Sequence, residues 1–260
     1  MRNTLLLPFL IIIAIYVNAC GTLTVPKPGR GVPAELSEPE TILADFKSKN
    51  STLKHFKGVG RIELRQNGRP LIDERIVWIA SEPSKLSIAV LVSGFPAIKL
   101  ASDGQWLYYY EAGREKNIFK KLRKDDPSLE RLISIPIRTS EIVTLIAGRV
   151  PLRDYNSSRL LTLPDASGFI LELKNSWWGV LEKIYLDETK TRIRKIDFFN
   201  RLGALEYSVK FEKVNLIDGY RIPVLLNISN DEGVAVQFKV DRFWANVEVS
   251  PSMFELKPTG

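Results

Sequence analysis

The chain has 260 residues, 45% of them hydrophobic and 26% charged, with a formal charge of +7. That balance excludes an intrinsically disordered chain and is enough for one sizeable core or two small ones. The positive charge suits either an anionic partner or a basic solvated surface, and the single cysteine, Cys20, excludes an intramolecular disulfide.

The chain begins MRNTLLLPFLIIIAIYVNAC, with Arg2 followed by an apolar run over residues 5–17 and then Asn18-Ala19-Cys20. The run falls short of the roughly 20 residues that a bilayer span needs, so it reads as a secretory signal peptide over 1–19 and not as a permanent anchor. Cys20 after Val-Asn-Ala resembles the lipobox of bacterial lipoproteins, in which the cysteine is acylated and becomes the new N-terminus. That resemblance implies lipid attachment at Cys20. At about 0.8 kcal/mol per buried CH₂, two or more acyl chains hold a protein stably on a membrane. Gly21 stands where the resemblance would place an aspartate for inner-membrane retention, which implies an outer-membrane address facing the periplasm. GTLTVPKPGRGVPAE, within residues 20–36, is rich in proline and glycine and reads as a tether.

Ser37-Glu38-Pro39-Glu40 has the S-x-x-E form of a capping box and predicts an amphipathic helix carrying Ile42, Leu43, Phe46 and Leu53, reaching about residue 54. From Phe56 the apolar period changes to two. Ile62 and Leu64, then Ile72, Ile76 and Trp78, flank Asn67-Gly68 and predict a hairpin. Strand-like runs follow at 84–92, 98–102, 105–110 and 114–119, so the sheet is expected to be an antiparallel meander.

Between the first two of those runs stands VSGFPAIKL, residues 92–100, which reads as a hairpin turn with Phe95-Pro96-Ala97 at its tip. A phenyl ring in water leaves more than about 100 Å² of apolar surface exposed at roughly 25 cal/mol per Å², so Phe95 either folds back under the sheet or has a use outside.

Asp126-Pro127 is expected to start a short helix carrying Leu129, Leu132 and Ile133, and Thr139 to cap a second carrying Ile142, Val143, Leu145 and Ile146, ended by Gly148. Beyond a polar loop through Asn156-Ser157-Ser158, alternation returns in Phe169, Leu171 and Leu173, in Leu205 to Phe211, and in Val234 to Val240. One-sided strands of this kind belong to a sheet with one wet and one covered face. About eleven strands against three helices is too much sheet to be covered flat. The expected fold is mainly β, a strongly curved antiparallel sheet forming an unclosed half-barrel with three α-helices across it.

Little in the chain points to bond chemistry. His55 is the sole histidine, and a solvated or capping role at a helix end fits it better than a triad. With Cys20 committed to lipid, a transition-metal site would need carboxylates alone, so neither a metal nor another cofactor is expected. Gly58-Val59-Gly60 lacks the third glycine of a dinucleotide loop and reads as a bend in the first strand. Trp177-Trp178 reads as one ring in the core and one at the rim, because neighbours in a strand point opposite ways. The basic stretch GREKNIFKKLRK, residues 113–124, suits a solvated strand and loop better than an anionic polymer, so no nucleic acid is expected.

A lipobox cysteine, a tether, one amphipathic helix, antiparallel strands, a helical insertion and more strands together resemble the LolA/LolB family of lipoprotein carriers and receptors. The most local match is ISIPIRTSEIVTLIAGRVP, residues 133–151, which looks like that family's lid segment. The resemblance implies a half-barrel domain over 37–260 with a helical lid at about 127–148. Ser93-Gly94-Phe95-Pro96-Ala97 looks like the loop that, in membrane-anchored LolB members, projects a leucine toward the membrane. Phe95, with Pro96, would then be the insertion loop.

The implied function is that of an outer-membrane lipoprotein, not an enzyme, which accepts the acyl chains of lipoproteins from a periplasmic LolA-like carrier and helps insert them into the outer membrane. The alternation offers Ile62, Leu64, Ile76, Trp78, Leu107 and Tyr109 as cavity residues, joined by Ile142, Leu145 and Ile146 from the lid. The alternative is an accessory envelope lipoprotein that uses the same fold to hold a protein partner or another lipid.

Overall fold

The computed structural model describes residues 38–113 and 115–258; Cys20, the signal segment, the tether and Ser37 of the expected capping box lie outside them. Where apolar residues alternate, the chain forms strands: β1 (His55–Gln66), β2 (Arg69–Ser81), β3 (Lys85–Val92), β4 (Phe95–Ser102), β5 (Trp106–Glu111) and β6 (Ile118–Arg123) in the first half. The second half supplies β7 (Ser157–Thr162), β8 (Phe169–Asn175), β9 (Gly179–Leu186), β10 (Ile193–Phe199), β11 (Leu205–Ile217), β12 (Tyr220–Ser229) and β13 (Val234–Ala245). All thirteen join one antiparallel sheet in the order β6-β5-β4-β3-β2-β1-β13-β12-β11-β10-β9-β8-β7. Each half is a meander, and the long β1–β13 ladder, from Phe56↔Ala245 to Gln66↔Val234, sews the halves together.

The sheet does not close, because its edge strands β6 and β7 have no hydrogen-bonded partner in each other. Bulges bend it. Register shifts occur at Val59/Gly60, Leu64/Arg65, Val90/Leu91 and Phe198/Phe199, and each adds local twist to its strand. Gly58 and Gly60 mark the bend expected in β1: a Cβ on the first would overlap the Trp78 ring and one on the second the Lys239 carbonyl. Edge strand β6 carries Lys120, Lys121 and Arg123, charges that discourage pairing with another chain's edge. Lys121 lies 4.3 Å from the Trp106 ring centroid, so this charge of β6 packs on the outer face of its own sheet.

Among the described residues three α-helices and a closing 3-10 turn (Pro251–Phe254) complete the domain: α1 (Glu38–Ser48), the single turn α2 (Glu130–Ile133) and α3 (Thr139–Ile146). Helix α1 buries Leu43 and Phe46, and Leu53 and Phe56 continue that packing into β1. It stops at Ser48, short of residue 54, because Asn50 turns left-handed at φ 52°. The Asn50 amide then donates to the carbonyls of Ala147 at 2.8 Å and Arg221 at 2.9 Å. One side chain thus satisfies an orphan carbonyl at the end of α3 and ties both helices to β12. Ser37–Gly260 form one compact unit, and the described core is drawn wholly from it. None of the described helices is long and apolar enough to cross a membrane.

Several expectations change in detail. The strands number thirteen, not about eleven, partly because Ser157-Ser158 open edge strand β7, where one unpaired side tolerates polar residues. The β3–β4 turn is Ser93-Gly94, with φ 51° and 85°, and Phe95 to Ala97 already belong to β4. Likewise β6 spans 118–123 instead of 114–119. His55 opens β1 and pairs its Nδ1 with Ser81 Oγ at 2.9 Å, away from any helix end. Trp177 and Trp178 both sit in the β8–β9 turn, 85% and 41% exposed, with neither ring in the core.

Candidate functional site

An apolar cavity of about 190 Å³ lies between the concave face of the sheet and the lid helices. The sheet contributes Ile62 and Leu64 from β1, Ile88 and Val90 from β3, Ile98 and Leu100 from β4, and Tyr109 from β5. The other half adds Leu226, Ile228, Val236 and Phe238, and the lid adds Leu129, Leu132, Ile133, Ile137, Ile142, Leu145 and Ile146. Tyr109 carries the one polar side-chain group in that lining, and its hydroxyl donates to Glu111 Oε2 at 2.8 Å. Burial, reinforced by that carboxylate, pushes the Tyr109 hydroxyl up to about 12, so it stays neutral.

Six of the nine residues expected from alternation and lid spacing therefore meet at this cavity: Ile62, Leu64, Tyr109, Ile142, Leu145 and Ile146. Ile76, Trp78 and Leu107 share the inward face but do not line it; they are buried core. The reason is position along the strands. Trp78 stands beside Gly58 and edge-on to Phe238 at 4.8 Å, where the bare glycine backbone gives its indole room and the ring fills the hollow. Strand alternation reports which face a side chain takes, not how far along the strand the free space lies.

The lid is held unequally. Helix α3 is fixed at its start by Asp126, which accepts from Ser140 N at 2.9 Å, Ser140 Oγ at 2.6 Å and Thr139 Oγ1 at 3.2 Å. That carboxylate was expected to open the preceding helix; it caps α3 instead, because the chain folds back through Leu129 N to Ile137 O at 2.8 Å. Beyond the other end, Gly148 adopts φ 73°, and Arg149 forms an ion pair with Glu82. By contrast α2 buries none of its own four residues, and Asn230 Nδ2 donating to Ser134 O at 2.8 Å ties its end to the sheet. Asp126→Ala is expected to cost about 1–2 kcal/mol by removing the α3 cap, read as a lower midpoint of thermal unfolding.

Phe95 is 76% exposed and Val92, its partner across the Ser93-Gly94 turn, is 45% exposed. Pro96 is exposed beside them. In an antiparallel meander alternate turns share an end, so this turn lies at the end of Asn67-Gly68 and of the loop 230–233, which meet through Asn67 N and Gly233 O at 2.8 Å. The cavity lies toward that end, since its wall includes the register neighbours Leu64, Ile72, Val236 and Ile228.

Beyond α3 lies a separate polar hollow of about 570 Å³, lined by Arg138, Glu141, Arg153, Arg201, Glu206 and Trp178 among others. Arg153 sits at its centre, with Nη1 2.7 Å from Glu206 Oε2 and Nε 3.4 Å from Glu141 Oε1. Beneath it, on the inward face of the sheet, are Glu182 and the stacked pair Phe198 and Tyr207, whose ring centroids are 4.6 Å apart. Glu182 is fully buried; its Oε1 accepts from the Arg153 backbone N–H and its Oε2 has no hydrogen-bond partner. Burial pushes the Glu182 carboxyl up to about 8, and burial next to Glu141 lifts the Tyr207 hydroxyl as well. Sequence reasoning missed this cluster. Its signal was Glu182 standing in phase with the inward-facing Ile184 and Leu186.

No family model and no curated protein matches the sequence. Solved structures do match. A LolA superfamily protein from Nitrosomonas europaea superposes with a TM-score of 0.56 at 12% identity, over 85% of this chain and 99% of that one. A DUF1329 family protein from Desulfovibrio piger gives 0.53 at 10% identity, over 84% and 95%. A domain described as an outer membrane lipoprotein-sorting protein from Vibrio parahaemolyticus gives 0.50 at 14%, over 82% and 94%. At such identities the likeness is one of fold: an unclosed, mainly β antiparallel sheet with helices, as in the LolA superfamily.

Proposed function

We propose that this protein is an outer-membrane lipoprotein of the LolB type, tethered through Cys20 and facing the periplasm. It accepts lipoprotein acyl chains in the cavity and helps insert them into the outer membrane. The observation that carries this reading is the cavity, walled by apolar side chains and lying toward the end at which Phe95 protrudes. Transfer of this kind breaks no bond. It needs a hollow that competes with water for methylenes, each worth about 0.8 kcal/mol, and still releases them to a bilayer. The donor would be a periplasmic LolA-like carrier, and no nucleic acid takes part.

The cavity volume decides how capture proceeds. About 190 Å³ is little more than the roughly 150 Å³ of a cavity that holds one benzene, so the closed form seats only a short stretch of a fatty chain. A full chain enters only if the lid gives way. Helix α3 is fixed at both ends, whereas α2 is one turn with no buried residue of its own, so in this reading the opening of the lid falls to α2.

Mass spectrometry of the organic extract of purified Ser37–Gly260 unit tests the reading, with co-purifying acylated molecules as the expected result. An empty extract, together with no uptake of a fluorescent fatty acid, would instead favour an accessory lipoprotein holding a protein partner. Phe95→Glu is expected to leave fatty-acid uptake within about twofold and to slow delivery of a labelled lipoprotein into vesicles about tenfold, because a charge opposes entry of the tip into the interface.

A further inference from the structure

Four large apolar residues are more than seven-tenths exposed among the described residues: Phe95 at 76%, Trp177 at 85%, Leu202 at 93% and Leu216 at 73%. Leu216 lies within β11. The other three sit at or beside turns, and strand alternation places all three turns at the same end of the sheet. The turns of the opposite end carry residues such as Asp103-Gly104-Gln105, Asp187 to Arg192 and Asp218-Gly219 instead. Phe95 belongs to one arm of the half-barrel. Trp177 and Leu202 belong to the other arm, on the neighbouring β8–β9 and β10–β11 turns, and Arg201 bridges these two turns with its guanidinium 4.6 Å from the Trp178 ring centroid.

Both turns are built to hold an apolar residue outward. Asn175 Oδ1 accepts from Trp177 N at 3.0 Å, and Asn200 Oδ1 accepts from Leu202 N at 2.9 Å and Ala204 N at 3.0 Å. Gly179 and Gly203, at φ 75° and 78°, close the two turns. These side-chain caps fix the backbone, so the exposed residues are presented at low entropic cost. Arg201 stacks on Trp178 and makes no ion pair with a carboxylate among the described residues. Two protruding apolar tips over an uncommitted guanidinium do not form the flat patch, near 800 Å² a side, that a stable protein interface needs. They do match a phospholipid surface, where indole and leucine enter the interfacial layer and arginine meets phosphate oxygens.

We propose that Trp177, Trp178 and Leu202 form a second membrane-contact site, which seats this arm of the sheet in the headgroup region of a phospholipid bilayer with Arg201 on the phosphates. The two arms then stand on the membrane together, with the polar turns Asn67-Gly68 and 230–233 between them. This goes beyond the carrier reading and does not depend on what fills the cavity.

The test uses the Ser37–Gly260 unit, which contains the whole described core and no cysteine. S176C and, at the opposite end, E188C are labelled with a polarity-sensitive fluorophore and mixed with vesicles of phosphatidylethanolamine and phosphatidylglycerol. The expected result is a blue shift at S176C, none at E188C, and about a tenfold weaker vesicle partition for W177S/L202S with an unchanged unfolding midpoint. F95S, made in the S176C background, is expected to retain the S176C shift at saturating lipid. The inference is overturned if the S176C probe stays in water while the protein sediments with vesicles, or if W177S/L202S partitions like wild type. It is also overturned if wild type self-associates without lipid and W177S/L202S does not, since a second copy would then cover the tips. Vesicle binding without fatty-acid uptake would support this site alone.

Discussion

Ile142→Trp is expected to remove fatty-acid binding while leaving a folded protein. Ile142 projects from α3 into the cavity and is only partly buried, so free space beside it can take the larger ring instead of forcing the core apart. An indole there displaces the few methylenes that the closed cavity accommodates. Losing about four of them at roughly 0.8 kcal/mol each amounts to about 3 kcal/mol, or on the order of a hundredfold in affinity. Ile98→Trp fills the same space from the sheet and is expected to do the same. The cost in stability is about 1–3 kcal/mol at most. Trp78→Phe is the control: it changes a buried aromatic outside the cavity, so it lowers stability and leaves affinity within about twofold. Titration of a fluorescent fatty acid checks all three. Unchanged affinity in both filled variants would mean that the acyl chain binds somewhere else.

The contrast among these variants shows what the sequence could and could not reveal. A period of two fixes which face a residue takes, and Ile62, Leu64, Ile76 and Trp78 do share a face. Whether a residue meets a void depends on what crosses from other strands, and Gly58 opposite Trp78 is settled by the β1–β2 register, which is not a local property. The Asn67-Gly68 hairpin was legible because its turn needs two left-handed residues, and these adopt φ 50° and 78°. Strand alternation does not apply to the Trp177-Trp178 pair: Asn175 caps the backbone there, and both rings fall in the turn. Asp126 departs from expectation for another reason. A cap is recognised by sequence adjacency, and this carboxylate reaches α3 across a fold-back of more than ten residues. An excess of sheet over helix makes the curvature legible, although its local cause, the bulges, leaves few marks in the sequence apart from the glycines of β1.

Glu182→Gln is expected to change the pH dependence of stability more than any other single substitution in the domain. The wild-type carboxyl is raised from 4.5 to about 8, first of all by burial. It therefore holds its proton more tightly in the folded chain than in the unfolded one, and between those two pH values folding takes up a proton. Stability from this group is complete below pH 4.5 and declines as pH rises toward 8, at about 1.4 kcal/mol per pH unit, with a ceiling of about 5 kcal/mol. The carboxyls of Asp73, Asp165 and Asp187 are lowered, so their contributions vanish only in more acidic solution and leave the window to Glu182. Glutamine keeps the oxygen that accepts from the Arg153 backbone N–H and cannot ionise. Wild type and variant should unfold at similar temperatures near pH 5 and diverge in favour of the variant by pH 8, by on the order of 10 °C at the ceiling. Parallel melting curves across that range would show that Glu182 stays ionised, held by the Arg153 charge above it. The same carboxyl projects from β9 beneath Arg153, the residue that ties α3 to β11 through Glu141 and Glu206, so its ionisation falls on the side where the lid is fixed.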